Sequence, residues 1–316
     1  MAETVLQAGI AARLVADGRR IVVTGAGGWL GLATLELLHA ALGDAMPKRV
    51  AAFGSETRAL RLRDGTQVLQ RPLADMAWLP AKPTLVLHLA FLTRDRAESM
   101  DEDTYRAANH AIGDTVLNAL DTIGTEAVFL ASSGAAALTD APAPAMRLYG
   151  AMKREDEQRF AHWADTHNRR AIIARIHNIS GPHMNKHGAY ALASFMADAL
   201  ARRPIAVRAP RPVIRSYVAI RELMALVFAL LLDDAPGVVR FDSGGIPLEL
   251  GEVAQVVADA VPGASVERAP ITDTSADRYH GDDALYSTLL AQHGLDPVDL
   301  VTQVSEALDD FRNSIR

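Results

Sequence analysis

A chain of 316 residues is long enough to bury a large core and to form two lobes. Its composition, 49% hydrophobic and 22% charged, is that of a globular protein, and a net charge of -6 gives no reason to expect nucleic acid or an anionic membrane as partner. With no cysteine there is no disulfide, thiolate metal site or cysteine nucleophile, which suits a reducing cytoplasm.

The first twenty residues carry Glu3, Arg13 and Asp17 and lack the continuous apolar core of a secretory signal. Residues 3–17 are expected to be helical, with Leu6, Ile10 and Leu14 on one face. A short apolar strand (20–24) follows, then the glycine-rich turn 25–31 and a helix to residue 42. Strand, glycine turn and helix open a parallel α/β unit. Further strands are predicted at 49–53, 67–69, 84–89, 127–131 and 170–175, with helices at 103–120 and around Tyr149. Alternation of this kind predicts an α/β fold with a Rossmann-type doubly wound parallel sheet. After Arg175 the rhythm changes. Residues 177–189 read as loop, 191–201 as helix, 205–207 and 215–219 as extended, and 238–241 as strand. The run 223–232 is too short to span a bilayer and reads as a buried helix. A helix at 250–261 and two short helices close the chain. We expect a cofactor-binding domain over 1–176, with 212–241 returning to it, and a smaller substrate-binding lobe from 177–211 and 242–316, lying over the carboxyl edge of the sheet where ligands bind.

Several residues in this frame can carry chemistry. Gly25, Gly28 and Gly31 stand where missing side chains let a backbone approach a pyrophosphate, and the helix behind them offers N–H donors. A tight turn needing glycine for conformation alone is the plainer reading. At the end of the second strand no acid precedes Glu56, whereas Ser55 and Arg58 could take a 2′-phosphate; this points to NADP as the preferred cofactor, with NAD the alternative. Arg58 as a solvated charge is the competing reading. His88 reads as a hydrogen-bonded core histidine. Asn109 is a poor helix former in mid-helix, so a polar contact is expected to justify it. Tyr149 and Lys153, four apart, share a helix face. A phenol titrates near ~10 in water, and a neighbouring ammonium favours its ionised form. Such a pair can exchange a proton with a carbonyl or alcohol. Ser133, ending the strand before it, could aim a hydroxyl at the same spot.

Together these blocks resemble the extended short-chain dehydrogenase/reductase family, in its nucleotide-sugar epimerase/dehydratase group. The match runs through Thr24-Gly25-x-x-Gly28-x-x-Gly31, His88-Leu-Ala90, Tyr105 to Asn109, Ser132-Ser133, Tyr149-x-x-x-Lys153, Arg175-x-x-Asn178-x-x-Gly181-Pro182, and Pro204-Ile205 with Arg215-Ser-Tyr-Val. The resemblance implies that Tyr149 is the acid/base, that Lys153 holds the nicotinamide ribose and lowers the phenol's pKa, and that Ser133 bonds the reacting oxygen. It also implies that Gly25, Gly28, Trp29, Leu30, Gly31, Ser55, Arg58, Leu73, Leu89, Ala90 and Asn109 line the cofactor. Asn178, Arg215 and a C-terminal arginine, Arg278 with Arg268 as rival, would meet a substrate diphosphate, whose oxygens a guanidinium fork binds in pairs.

The departures bear on the reaction. Gly134-Ala135 stands where the family's dehydratases carry an Asp-Glu pair, so 4,6-dehydration is not expected. Arg71-Pro72 replaces an acid that often meets the adenine, leaving Leu73 and backbone for that role. His183, Lys186 and His187 lie in a loop that could face substrate; His183 reads either as a loop residue or as an alternative acid/base. The leading expectation is reduction of a keto group on a nucleotide-linked sugar. The alternatives are a 4-epimerase with tightly held NAD and a non-catalytic cofactor-binding protein. By resemblance a homodimer is expected, built on the helices around 103–120 and 149–166, with no metal.

Overall fold

A computed structural model describes residues 5–186, 188 and 190–314. The predicted sheet is present and larger than the sequence suggested. Eight strands stand side by side: Gly237–Asp242, β7 (Arg170–Ile176), β6 (Thr125–Ser133), β5 (Thr84–His88), β1 (Arg20–Thr24), β2 (Val50–Gly54), β4 (Gln67–Pro72) and β3 (Arg58–Arg61). All neighbours run parallel except β3, which returns antiparallel on β4. The predicted strand pattern did not include β3. Only Leu60 of its four residues is buried, so its sequence lacks the apolar run of an inner strand.

The strands are apolar on both sides because both sides are covered. Along β1, Ile21 and Val23 point into one core, with Leu87, Phe129, Ile172 and Leu223, while Val22 points into the other, with Phe53, Val86, Val128 and Phe160. Each such fully buried side chain contributes roughly 1.5–3 kcal/mol. The first helix, Ala8–Asp17, begins later than expected and ends at Gly18 in a left-handed conformation (φ 77°); residues 3 and 4 of the expected helix lie outside the described residues. It packs with the helices Trp29–Leu42 and Ile220–Leu231. In Ile220–Leu231 every residue but Arg221 is buried, which explains the apolar run that follows Glu222. Among the described residues no helix is long and apolar enough to cross a membrane.

The later segments form small sheets. Val213–Arg215 lies between Leu248–Glu249 and Asp277–Tyr279, with Arg215 opposite Tyr279. Ile205–Val207 pairs with Val266–Arg268, and Ile179–Ser180 with Val218–Ala219. The helix Leu250–Asp259 opens on a capping box between Glu249 and Glu252. Side chains from these pieces reach the carboxyl ends of β1 and β6: Tyr190 meets Trp29, and Tyr279 meets Ser133.

Candidate active site

The glycine turn is fixed by what surrounds it. Gly25 has φ 67°, and a Cβ there would lie 2.7 Å from the Ala90 nitrogen, so β1 and the segment after β5 close only over glycine. A Cβ on Gly31 would stand 2.7 Å from the Ala26 carbonyl oxygen and collide with that of Gly25. Gly28 precedes Trp29–Leu42 as its N-cap, and no side chain caps that end. The first-turn N–H groups and the positive end of the helix therefore suit a dinucleotide pyrophosphate. Trp29 is buried with its Nε1 unpartnered, and its ring lies 5.2 Å from that of Tyr190; Leu30 is partly buried. Thr24 Oγ1 accepts the N–H groups of Leu89 and Ala90 and bonds His88 Nδ1 at 2.8 Å. His88 is buried and stacked on Phe160, and burial, aided by Lys153 and Arg159, lowers its pKa to about 3. It is a neutral core histidine.

The end of β2 is Gly54, covered by the buried amide of Gln70, whose Nε2 donates to the Glu56 carbonyl at 2.9 Å. Arg58, on β3, reaches back to the turn with Nη2 3.5 Å from the Gly27 carbonyl oxygen. Ser55 is exposed, and Leu73 opens the turn Leu73–Trp78 after β4. The Arg71 guanidinium lies 4.7 Å over the Phe53 ring.

Ser133 is the last residue of β6 and is buried. Its Oγ accepts the Ala135 N–H and lies 3.1 Å from the Tyr279 phenol oxygen. Tyr149 rides on the helix Pro144–Thr166, which is pressed onto this segment because Gly150 leaves room for the Ala135 backbone. Burial raises the Tyr149 pKa well above the ordinary phenol value, and the nearby Ser133 hydroxyl only partly offsets it. Lys153 donates from Nζ to the Ala131 carbonyl at 2.7 Å and sits 3.8 Å from the centroid of Phe91. The Phe91 ring also meets Tyr149 edge-on at 5.8 Å. Burial lowers the Lys153 pKa to about 8, against the pull of Asp156 and Glu157. The expected lowering of the phenol's pKa by Lys153 is not found: burial of the phenol sets the direction, and Lys153 is not among the groups that shift it.

Asn109 finds the polar contact its position called for. Its Oδ1 accepts the Leu92 N–H at 2.8 Å and its Nδ2 donates to the Tyr105 carbonyl, while the Tyr105 hydroxyl donates to the Leu92 carbonyl at 2.6 Å. The pair thereby clamps the loop that carries Phe91. Below the site Ser132 donates to Glu157 at 2.5 Å, and Arg175 grips the same carboxylate at 2.9 and 2.8 Å.

On the other side, Asn178 Nδ2 donates to the carbonyls of Ser216 (2.9 Å) and Tyr279 (3.4 Å). Arg215 is paired with Asp277, Nη2 to Oδ2 at 3.0 Å, and Arg278 is exposed on the same strand as Asp277. The rival Arg268 donates to the carbonyls of Ala209, Ala269 and Arg211 and pairs with Glu249. His183 bonds Glu36 through Nε2 at 2.9 Å and Asp310 through its backbone N–H, a placement that fits the loop reading. Lys186 pairs with Asp95 at 2.7 Å; His187 lies outside the described residues.

Three side chains at this site belong to none of the motifs: Phe91, His177 and Tyr279. Arg278 was singled out from the C-terminal segment, yet its neighbour Tyr279 meets Ser133, since successive strand residues face opposite ways. The Tyr279 ring lies 4.9 Å from that of His177.

Comparison with known proteins bears on the family and the fold. The model of the NAD dependent epimerase/dehydratase family matches residues 21–240. No curated protein matches the chain. Among solved structures, UDP-N-acetylglucosamine 4-epimerase from Methanobrevibacter ruminantium, in complex with UDP-N-acetylmuramic acid, is similar with a TM-score of 0.72 at 16% identity, over 94% of this chain and 99% of that one. The dTDP-glucose 4,6-dehydratase DesIV from Streptomyces venezuelae, with NAD and TYD bound, gives 0.69 at 18% identity over 93% and 97%. UDP-glucose 4-epimerase from Thermus thermophilus, in complex with NAD, gives 0.66 at 22% identity over 93% and 99%. At these identities the likeness shows the fold.

Proposed function

Because the chain belongs to the NAD dependent epimerase/dehydratase family, we propose that it reduces a keto group on a nucleotide-linked sugar. A nicotinamide dinucleotide, when bound at the glycine turn, would supply the hydride. Tyr149 gives the proton to the carbonyl oxygen and Ser133 positions that oxygen. Lys153 stands one turn along the same helix, to hold the cofactor's ribose. Asn178, Arg215 and Arg278 take the diphosphate, with Arg215 exchanging the Asp277 carboxylate for phosphate oxygens. The observation that carries the reading is the Ser133 hydroxyl, buried at the end of β6 beneath the helix that carries Tyr149 and Lys153. The raised pKa of that phenol favours its protonated form, which is the form reduction consumes. The contacts that strengthen as the oxygen gains charge are the ones that speed the step.

NADP preference is supported by Arg58 beside the Gly27 carbonyl and by the exposed Ser55 just past the end of β2, with no carboxylate on that strand. A 4-epimerase with tightly held NAD is the second reading, favoured by the likeness to two 4-epimerases, one of them in complex with NAD. A thermal-shift matrix of NAD, NADP and UDP, dTDP, GDP and CDP compounds tests both, since ligands stabilise by mass action. The reductase reading expects the larger shift from NADP and ready exchange of the cofactor. Cofactor that stays bound through purification favours the epimerase. Tyr149→Phe should keep the cofactor shift and lose turnover; turnover equal to the wild type contradicts both enzyme readings.

A further inference from the structure

Two titratable side chains from outside the motifs meet beside Ser133: Tyr279 touches its hydroxyl, and His177 packs on Tyr279. Tyr279, at the end of Asp277–Tyr279, places its phenol oxygen 3.1 Å from Ser133 Oγ. The helix that carries the Tyr149 phenol packs on the segment directly after Ser133. His177, the first residue after β7, lies against Tyr279 with ring centroids 4.9 Å apart and planes tilted by 55°. Its imidazole occupies a slot cut by two glycines. A Cβ on Gly134, directly after Ser133, would collide with the ring. A Cβ on Gly281 would lie 2.9 Å from Cε1 and 3.1 Å from Nδ1. The backbone N–H of His177 is anchored on Ser243 Oγ at 3.0 Å, and its Nδ1 is buried without a hydrogen-bond partner. The groups around the ring are Tyr279, Asp242, His280 and Arg175. Burial holds its pKa below the ordinary imidazole value, against the pull of Asp242, and this favours the neutral form.

We propose that His177 and Tyr279 form a second proton-transfer pair, serving the substrate carbon next to the one on which Tyr149 and Ser133 act. The inference rests on the reading of the substrate as a keto-sugar. One carbon–oxygen centre needs one proton carrier, and Tyr149 is that carrier. A second phenol at the same hydroxyl, with an imidazole packed against it, serves a second position. A carbonyl acidifies the C–H bond beside it. The neutral imidazole takes that proton: the C–H bond breaks, an N–H bond forms, and the electron pair moves into a C=C bond while the carbonyl oxygen becomes an enolate. Ser133 and Tyr149 donate hydrogen bonds to that oxygen. Return of the proton from the imidazolium restores the ketone with its configuration kept; donation of a proton from the Tyr279 phenol inverts it, after which the imidazolium releases its proton to solvent and the phenolate takes one up. No oxidant, reductant or co-reactant is consumed.

The test uses UDP- and dTDP-linked 4-keto-6-deoxyhexoses in D2O, with the full chain and NADP+, which cannot reduce the ketone. NMR reads deuterium at the carbons flanking the carbonyl. Wild-type protein is expected to label one flanking carbon at least tenfold faster than buffer. His177→Gln and Tyr279→Phe are each expected to lose at least tenfold of that rate. Tyr279→Phe keeps the ring and its packing, so its loss is not one of folding, and the melting temperature of both variants is read alongside. Exchange at the buffer rate by wild-type protein, or exchange retained in Tyr279→Phe and in a folded His177→Gln, overturns the pair. Hydride transfer from NADPH to the same sugars is measured separately. Labelling without hydride transfer leaves the pair standing and removes the reductase reading; hydride transfer without labelling does the reverse.

Discussion

Lys153 combines a helix position that the sequence made legible with an environment that it did not. Its ammonium is enclosed by the Ala131 carbonyl and the Phe91 ring, and burial brings its pKa to about 8. The folded value lies below the unfolded one, so the cost of the buried charge is present in full below pH 8. It is relieved as pH rises from there to about 10.4, where the unfolded chain holds the proton that the folded one releases. Lys153→Met should therefore be more stable than wild type at pH 7, by on the order of 1–3 kcal/mol, and the gap should close towards pH 10. Melting curves across that range check it; a gap that does not change with pH contradicts it. The Tyr149–Lys153 spacing was readable because helix periodicity is local. The contest between burial and charge was not, because Phe91 and Ala131 come from other elements. His88 was readable for the opposite reason: a histidine in an apolar strand must be neutral or paired, and Thr24 pairs it.

At the scale of elements, the glycine turn and the loop after β5 divide fold from function. Gly31→Ala forces a Cβ into the Gly25 carbonyl, so it should destabilise the fold and abolish cofactor binding together. In Gly28→Ala the Cβ stands 3.3 Å from that same oxygen, a contact small shifts can absorb. It should leave the melting temperature within about 2–4 °C of wild type while weakening cofactor binding tenfold or more, by intruding where the pyrophosphate meets the helix end. Calorimetric melting beside cofactor titration separates the two, and equal effects of both substitutions contradict the division. Asn109→Ala removes two bonds of a buried amide and leaves the Leu92 N–H without its acceptor, for a loss of about 1–3 kcal/mol. Chemical denaturation measures that loss, and a change below 0.5 kcal/mol, roughly the scatter of surface substitutions, contradicts it. The main strands and the glycine turn were legible as apolar runs with punctuation. The edge strand Arg58–Arg61 was not, since one buried leucine among exposed residues carries no periodic signal. That strand nonetheless brings Arg58 to the turn.

Across the whole molecule, Glu36 joins segments far apart in sequence. On the helix Trp29–Leu42, it accepts from His183 Nε2 and the Arg63 backbone, while Asp310 of the last helix accepts the His183 N–H. Burial pushes the Glu36 carboxyl up, but His183 and Arg63 outweigh it and hold it below the usual range. Its stabilising contribution is therefore full above the unfolded value and fades as pH falls through the folded one. Glu36→Gln should melt about 2–4 °C lower at pH 7, with the gap narrowing in acid; a gap that widens in acid contradicts the linkage. No local pattern could reveal this network, or the meeting of Tyr279 with Ser133, because each partner comes from a distant part of the chain. The fold class was legible from alternating strands and helices, the motif residues from their spacing, and the residues that close the site only from the assembled chain. In the proposed reaction Tyr149 passes a proton to a sugar carbonyl oxygen as a hydride reaches its carbon. Its most direct test is single-turnover transfer of deuteride from labelled NADPH to a nucleotide-linked keto-sugar, in wild type and Tyr149→Phe. Deuterium on the former carbonyl carbon, with the rate falling at least a hundredfold in the variant while cofactor affinity is kept, is the predicted result; transfer at the wild-type rate in Tyr149→Phe, or none in the wild type, contradicts it.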